Sequence, residues 1–410
     1  MTPRALTDRL RQLLGEAALP APAADEATFP PLVLPQDEAA CALLLRTASV
    51  EGWRVAIVGA GSWLSAPPAA DFRLGTARLD ALGPVQPADL VATAQTGVRW
   101  NALRRGLADR HVWLAQDQPG YDRTLGSVLA TGTSGPLRCG FGTLRDQVLG
   151  LTMVSGDGRV LRVGGRVVKN VAGYDLAKLA LGTFGAFGVI TEAHLRLRAV
   201  PRADVTLSID GTRDALLDAA RAVLERGMTP AALELLTPAA ASREAWRLAI
   251  RLLGTEAEVA ADQTEVQAAL PEAAAVLRGD GAAAFWARVL ETAVEPPITL
   301  RLGASPAALE DALDLVALHL DERVADWVAV TILAGVARWS GSATWETLAR
   351  LRRAAAEHEW PVTLERAPWD VRTAVGHFGA YREGVHRIVQ GLRAAFDPAG
   401  ILVTPLDPTT

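Results

Sequence analysis

The sequence predicts an α+β protein in two main parts, the second built on an antiparallel sheet. Its 410 residues exceed what one hydrophobic core organises. Strand-like and helix-like runs alternate, with dense glycine, as far as Pro201. Beyond Pro201 glycine thins out, and alternating strands are interleaved with longer helical runs. The expected division is an N-terminal helix and tether over 1–33, a glycine-rich part over 34–201, an α+β part over 202–395 and a closing segment over 396–410.

The elements follow in order. Leu6, Leu10, Leu13 and Leu14 recur at helical spacing, and a Pro/Ala-rich connector runs on to Pro35, which predicts a docking helix on a tether. "DEAACALLLRTASV" (37–50) reads as a helix with an acidic first turn. "WRVAIVGAG" is a buried strand entering a glycine turn. "DLVATAQTGVRWNALRRGLADR" continues as strand, turn and helix, so α/β packing is expected as far as Arg110. "SGDG" between two strand-like runs marks a hairpin in "RDQVLGLTMVSGDGRVLRVG". "YDLAKLALG" fits a short helix with Asp175 as N-cap and Gly182 at C′. "GAFGVITEAHLRLRAVP" is an alternating strand ending at Pro201. In the second part "DVTLSID", "AWRLAIRLLG", "ITLRLG" and "WVAVTILAGVARW" read as strands, and 213–226 and 305–320 as helices. An antiparallel sheet with helices on one face is expected.

Composition narrows the function. Half the residues are hydrophobic, 21% are charged and the net charge is −5, so no basic face for nucleic acid is expected. Cys41 and Cys139 make neither a disulfide framework nor a metal-ligand set, which fits a reducing cytoplasm. No apolar run is long enough for a membrane span, and the N-terminus lacks a signal-peptide core. A cytoplasmic protein with at most peripheral membrane contact is expected.

Three glycine motifs are candidates for chemistry. In "VGAGSWL" (58–64) the backbone N–H groups of Gly59, Ala60, Gly61 and Ser62 suit a pyrophosphate, because no Cβ obstructs their approach. A Rossmann fingerprint is weakened by Leu64 in its third glycine place, although Asp80 lies where a ribose-binding acid would. A plain tight turn stays open. "TLGSVLATGTSGPLRCGFGTLRD" (124–146) has few side chains large enough to build a core. It runs straight into an apolar strand, which disfavours a linker. Small residues at 126, 127, 130, 132, 134 and 135 would let a flat ligand lie against the backbone. "GTFGAFGVITE" (182–192) is either a turn before a strand or a ligand contact.

Together these motifs resemble the FAD-binding domain of the vanillyl-alcohol oxidase type (PCMH-type). "VGAGSW" stands where that family has its pyrophosphate loop, and "GYDRTLGSVLATGTSG" where a Gly/Thr/Ser segment passes the flavin. "FGTLRD", "GYDLAKLALGTFGAFGVITEAHL" and the closing "LRAAFDPAGILVTP" match further family elements. "GRVVKNVAGYDLAKL" and "LERAP" carry a finer resemblance to the FAD-binding subunits of glycolate oxidases and their D-lactate dehydrogenase relatives. The resemblance covers about 34 to 405 and implies a two-part FAD domain, an α+β cap and a closing segment returning to the FAD domain. Two places depart from it. Val403 and Leu406 stand where the family has Asn and Gly, and no His-rich "H-x-G-D-G-N-x-H"-like element is present.

The resemblance implies non-covalent FAD, since the first loop carries no His or Cys to tether it. It places Gly59, Ala60, Gly61 and Ser62 at the pyrophosphate. It places Thr124, Leu125, Gly126, Ser127, Thr131, Gly132, Ser134 and Gly135 along the flavin and ribityl chain, and the backbone groups of Val189 and Ile190 at the adenine or the ring edge. Arg145 and Asp146 are expected to pair beneath the loop, and Cys139 to be a buried structural thiol. His377 and His386 read as satisfied surface or interface residues. Lys169 and Asn170 are auxiliary or turn-stabilising, no metal site is expected, and no catalytic base is assigned. The implied role is the FAD-binding subunit of a glycolate oxidase-like complex that oxidises a small 2-hydroxyacid. Its partners would be a second flavin subunit and an iron–sulfur subunit. A stand-alone FAD-dependent dehydrogenase and a non-catalytic scaffold remain alternatives.

Overall fold

The apolar run Val55–Val58 becomes the middle of a small parallel sheet, between Phe72–Gly75 and the C-terminal Leu402–Val403, with Leu32–Val33 at the far edge. The computed structural model describes residues 2–21, 29–59, 70–118, 120, 122–166, 175–237, 245–271, 273–291, 297–320, 325–379 and 384–405. The helix Glu38–Glu51 covers this sheet. Asp37 caps it by accepting from the Ala40 N–H at 2.7 Å, and Gly52 ends it in the left-handed region. Leu44, Leu45 and Ala48 pack against Val55, Phe72 and Leu74, and Leu6 and Leu10 of the N-terminal helix Pro3–Leu14 join the same core.

The parallel α/β rhythm stops at Phe72–Gly75. Val91–Gln95 lies antiparallel between Leu82–Gln86 and Val189–Arg196. The short link between Leu82–Gln86 and Val91–Gln95 leaves no room for the crossover that parallel pairing requires. That corrects the expectation of α/β packing up to Arg110. These strands continue through Val148–Val154 to Val160–Gly164 as a five-stranded antiparallel sheet. The last two strands form the hairpin closed by Ser155 and Arg159, with Gly158 at φ 78°.

The glycine-rich segment 124–146 holds more core than its composition promises. Leu125, Val128 and Leu129 stand at helical spacing, and Leu125–Thr131 is a helix with all three side chains buried beside Leu103, Leu151 and Leu195. Thr124 caps it through its hydroxyl, which accepts from the Ser127 N–H at 3.1 Å. Gly132 closes it in the left-handed region. Arg145 and Asp146 are not a pair. The Asp146 carboxylate accepts from the N–H and hydroxyl of Thr143 at 2.8 Å each, capping the turn Leu144–Gln147.

The second part is an eight-stranded antiparallel sheet among the described residues. Its strands run, edge to edge, Ala275–Arg278, Ala203–Gly211, Trp246–Gly254, Ala232–Leu236, Ala325–Thr331, Val336–Gly341, Ile298–Gly303 and Val362–Arg366. One face is apolar. Leu233, Leu300, Trp339 and Leu364 pack there against the helices Arg213–Glu225, Glu256–Ala269, Leu309–His319 and Trp345–Glu357. The helices are not confined to that face, however. Asp280–Glu291 lies on the other, burying Phe285 and Trp286 against Ala232, Leu236 and Ala249. The remainder of that second face is charged and turns toward the glycine-rich segment, since Arg338 reaches the carbonyl of Ser134.

Gly188 is a backbone constraint the fold cannot relax. Its φ is 137°, and a Cβ there would lie 2.0 Å from the Val154 carbonyl oxygen. Gly188→Ala is therefore expected to lower the unfolding free energy by roughly 3 kcal/mol or more. Chemical denaturation checks this, and a loss below about 1 kcal/mol contradicts the packing described.

Candidate functional site

A cleft opens where the two sheets of the first part meet the glycine-rich helix, with about 730 Å³ of free space including its open mouth. Ile57, Val58 and Gly59 form one wall, Gly126, Ser127, Ala130 and Thr131 the floor, and Thr183 to Gly185 with Gly188 to Ile190 the other wall. The two small-residue stretches touch. A Cβ on Gly59 would stand 2.6 Å from Thr124 Oγ1 and 3.0 Å from Ser127 Cβ.

The floor is held from below by a buried cation. Arg123 donates from Nη2 to Ser127 Oγ at 2.9 Å and to Thr131 Oγ1 at 2.7 Å, and Thr131 donates to the Ser127 carbonyl at 2.8 Å. Burial lowers the Arg123 guanidinium to about 9, so it stays charged at neutral pH. On the wall, the hydroxyl of Thr76 is buried and has no hydrogen-bond partner among the described residues. A buried unsatisfied hydroxyl costs about 1–3 kcal/mol unless something bonds it. Phe184 sits at φ 53°, a strained conformation for a bulky residue, with its N–H donating to the Ala130 carbonyl at 2.8 Å. Its ring packs edge-on against His377, centroids 4.7 Å apart.

Beyond the floor lies an ionic cluster. Arg301 and Arg338 are direct cross-strand partners on the charged face of the eight-stranded sheet. Arg338 donates to Glu365 Oε2 at 3.0 Å and to the Ser134 carbonyl at 2.8 Å, and Arg301 lies 3.6 Å from Glu365 Oε1. Burial alone would raise the Glu365 carboxyl, but Arg338 and Arg301 outweigh it and hold the group below its usual range. Glu234 behaves oppositely. Burial pushes its carboxyl up to about 8 despite Thr331 and Arg338, so it is mostly protonated at neutral pH. Asp117, raised by burial to about 6, accepts from the Leu137 N–H at 3.2 Å and fixes the start of the turn Arg138–Phe141.

Of the residues nominated from sequence, Gly59, Gly126, Ser127, Thr131, Val189 and Ile190 line the cleft. Ala60, Gly61 and Ser62 lie outside the described residues, as do Lys169 and Asn170. Thr124 caps the floor helix, Leu125 points into the core, and Gly132 ends that helix. Ser134 and Gly135 lie under the charged sheet face instead. The Ser134 carbonyl meets Arg338, and a Cβ on Gly135 would stand 2.3 Å from Asp117 Oδ1. Asp80 is exposed and outside the cleft lining. His386 is exposed and bonds Gln390. His377 corrects its sequence reading: it is buried, and neither ring nitrogen has a hydrogen-bond partner among the described residues. Burial, then Arg372 and Arg352, hold it neutral. Cys139 is half-buried beside Glu234, its thiol pushed up to about 12 by burial.

Thr76, Phe184, Glu234, Arg301 and Arg338 escaped the sequence reading. A signal existed for three of them. "ALELL", "ITLRLG" and "GVARW" each place one charge inside an apolar strand, which burial makes costly and hence purposeful.

Residues 30–164 match the family model of the FAD binding domain, so this part of the chain is an FAD-binding domain of that family. Relatives include glycolate oxidase subunit GlcE of Escherichia coli, 40% identical over 30% of this chain and 35% of that one. The mitochondrial D-lactate dehydrogenase [cytochrome] of Arabidopsis thaliana is 35% identical over 36% of this chain and 26% of its own. The D-lactate dehydrogenase of Archaeoglobus fulgidus is 33% identical over 50% and 47%. The matched part of this chain thus spans from about a quarter to a half of those relatives. Among solved structures, a chitooligosaccharide oxidase superposes with a TM-score of 0.68 over 97% of this chain and 98% of its own, at 13% identity. An alkyldihydroxyacetonephosphate synthase gives 0.65 over 90% and 76%, at 17% identity. The fold is the PCMH-type FAD-binding fold with an α+β cap, and the cofactor of such a domain is FAD. Among the described residues no helix is long and apolar enough to cross a membrane.

The raised Glu234 carboxyl has a consequence for stability. Between about 4.5, its ordinary value, and about 8 the folded state keeps a proton that the unfolded chain releases. The Glu234 contribution to stability falls as pH rises through that window, by up to about 1.4 kcal/mol per pH unit. Denaturation curves from pH 5 to 8 should show Glu234→Gln gaining on the parent as pH rises. Curves that stay parallel contradict a buried protonated acid.

Proposed function

We propose that the chain is the FAD-binding subunit of a glycolate oxidase-like complex that oxidises a small 2-hydroxyacid and hands the electrons to partner subunits. The observation that supports it most is the coincidence of the FAD-domain match with a cleft whose Thr76 hydroxyl lacks a partner. FAD suits these residues. Thr76, Ser127 and Thr131 offer hydroxyls, the Arg123 cation beneath the floor favours an anionic pyrophosphate, and Gly59 and Gly126 leave the backbone open.

Bound FAD supplies the acceptor for a hydride from the carbon bearing the substrate hydroxyl. The chain's residues prepare that step. Arg123 fixes the orientation of Ser127 and Thr131. Phe184, Val189 and Ile190 give the cleft apolar walls that exclude water. Arg338 ties the charged sheet face to Ser134, the segment nominated for the flavin. Glu234, mostly protonated at neutral pH, adds little negative charge to repel a carboxylate substrate. The partner roles rest on relatives that are subunits of glycolate oxidase and on the isolation of Cys41 and Cys139, which bars an iron–sulfur cluster held by this chain's own cysteines.

The purified chain is expected to carry FAD that acid releases into the supernatant, and Thr76→Val to bind FAD roughly five- to tenfold more weakly. Anaerobic glycolate or D-lactate should leave the flavin of the isolated chain oxidised, and bleach it once a second flavin subunit and an iron–sulfur subunit are present. Bleaching of the chain by itself supports a stand-alone dehydrogenase, and failure to take up FAD supports a scaffold.

A further inference from the structure

A second pocket lies at the end of the eight-stranded sheet, and it shares no lining residue with the cleft. The ends of Ile298–Gly303, Val336–Gly341 and Val362–Arg366 form it together with the turn Arg138–Phe141. Arg138 and Arg301 point charge into it, Ser305 and Thr363 add hydroxyls, and the stacked pair His358 and Trp360 stands beside them, ring centroids 4.4 Å apart. It encloses about 1050 Å³ of free space counting its open mouth.

Its charge is unbalanced. Among the described residues the Arg138 guanidinium makes no hydrogen bond and no ion pair, although the residue is half-buried. Arg301 has only the looser 3.6 Å contact to Glu365, whose closer partner is Arg338. The other acids near Arg138 are engaged: Asp146 caps Thr143, and Glu234 is mostly protonated at neutral pH. Exposed Glu359 is the one carboxylate among the described lining residues, and it has another partner. Two guanidinium groups facing one cavity with half a counter-ion between them repel each other unless an anion joins them. A planar carboxylate matches the guanidinium fork better than a point charge does.

We infer that this pocket binds the carboxylate of a small organic acid through Arg138 and Arg301. It rests on the proposed function only in taking that acid to be the 2-hydroxyacid substrate. The connected groups Arg301, Glu365, Arg338 and Ser134 lead from the pocket to the segment nominated for the flavin.

Calorimetric titration of the whole purified chain with oxalate, D-lactate, D-lactamide and inorganic phosphate tests this, with flavin content read from the absorbance of each sample. Oxalate and D-lactate should bind the parent chain and D-lactamide should not. Arg138→Met should weaken oxalate at least tenfold with melting temperature and flavin content unchanged. Arg301→Lys should retain part of the affinity, which the charge alone supplies. Equal oxalate affinity in the parent and Arg138→Met overturns the inference, as does phosphate binding more tightly than oxalate. The two readings fail separately. A flavin-free chain that still binds oxalate through Arg138 sinks the proposed function and leaves the pocket. A flavin-loaded chain indifferent to Arg138 does the reverse.

Discussion

A buried guanidinium ties the two parts of the molecule together. Arg338 bonds Glu365 on its own sheet and the Ser134 carbonyl across the gap. Neither side tolerates its loss easily, because buried Glu365 would keep only the looser Arg301 contact and the Ser134 carbonyl would lose its bond to Arg338. The glycine-rich segment is therefore a clamped element rather than a free loop. At one end Arg123 holds Ser127 and Thr131, and at the other Arg338 and Asp117 hold Ser134 and Leu137.

This clamp explains the uneven distribution of charge on the eight-stranded sheet. Its apolar face meets four helices and reads as ordinary alternation. The opposite face is divided between a helix that buries Phe285 and Trp286 and a patch of Arg301, Arg338, Glu234 and Glu365. Charges are costly to bury, and here they are retained where the sheet faces the nominated flavin segment. The same patch gives Glu234 and Glu365 opposite protonation states within one cluster. Ion pairing decides for Glu365 and desolvation for Glu234.

Much of this was legible in the residues. The fold class, the hairpin at "SGDG", the capped helix after Asp37 and the antiparallel second sheet follow from periodicity and turn chemistry, which are local. The helix inside the glycine-rich segment is also local, because Leu125, Val128 and Leu129 stand at helical spacing. Pairing direction was harder to read, because Val91–Gln95 looks the same in a parallel or an antiparallel sheet and only the short link decides. Least legible were the groups defined by what they lack. Thr76 and His377 stand out because no partner reaches them, and Arg138 because its neighbours are already engaged. Such facts belong to three-dimensional placement, and no spacing along the chain encodes them.

The claim on which the functional reading rests is that one dinucleotide lies between Gly59 and the segments at 126–131 and 183–190. Photolabelling with 8-azido-FAD, followed by peptide mapping, tests it most directly. Label is expected on peptides from those stretches alone, competed away by unlabelled FAD. Competable label confined to the far side of the eight-stranded sheet would contradict it.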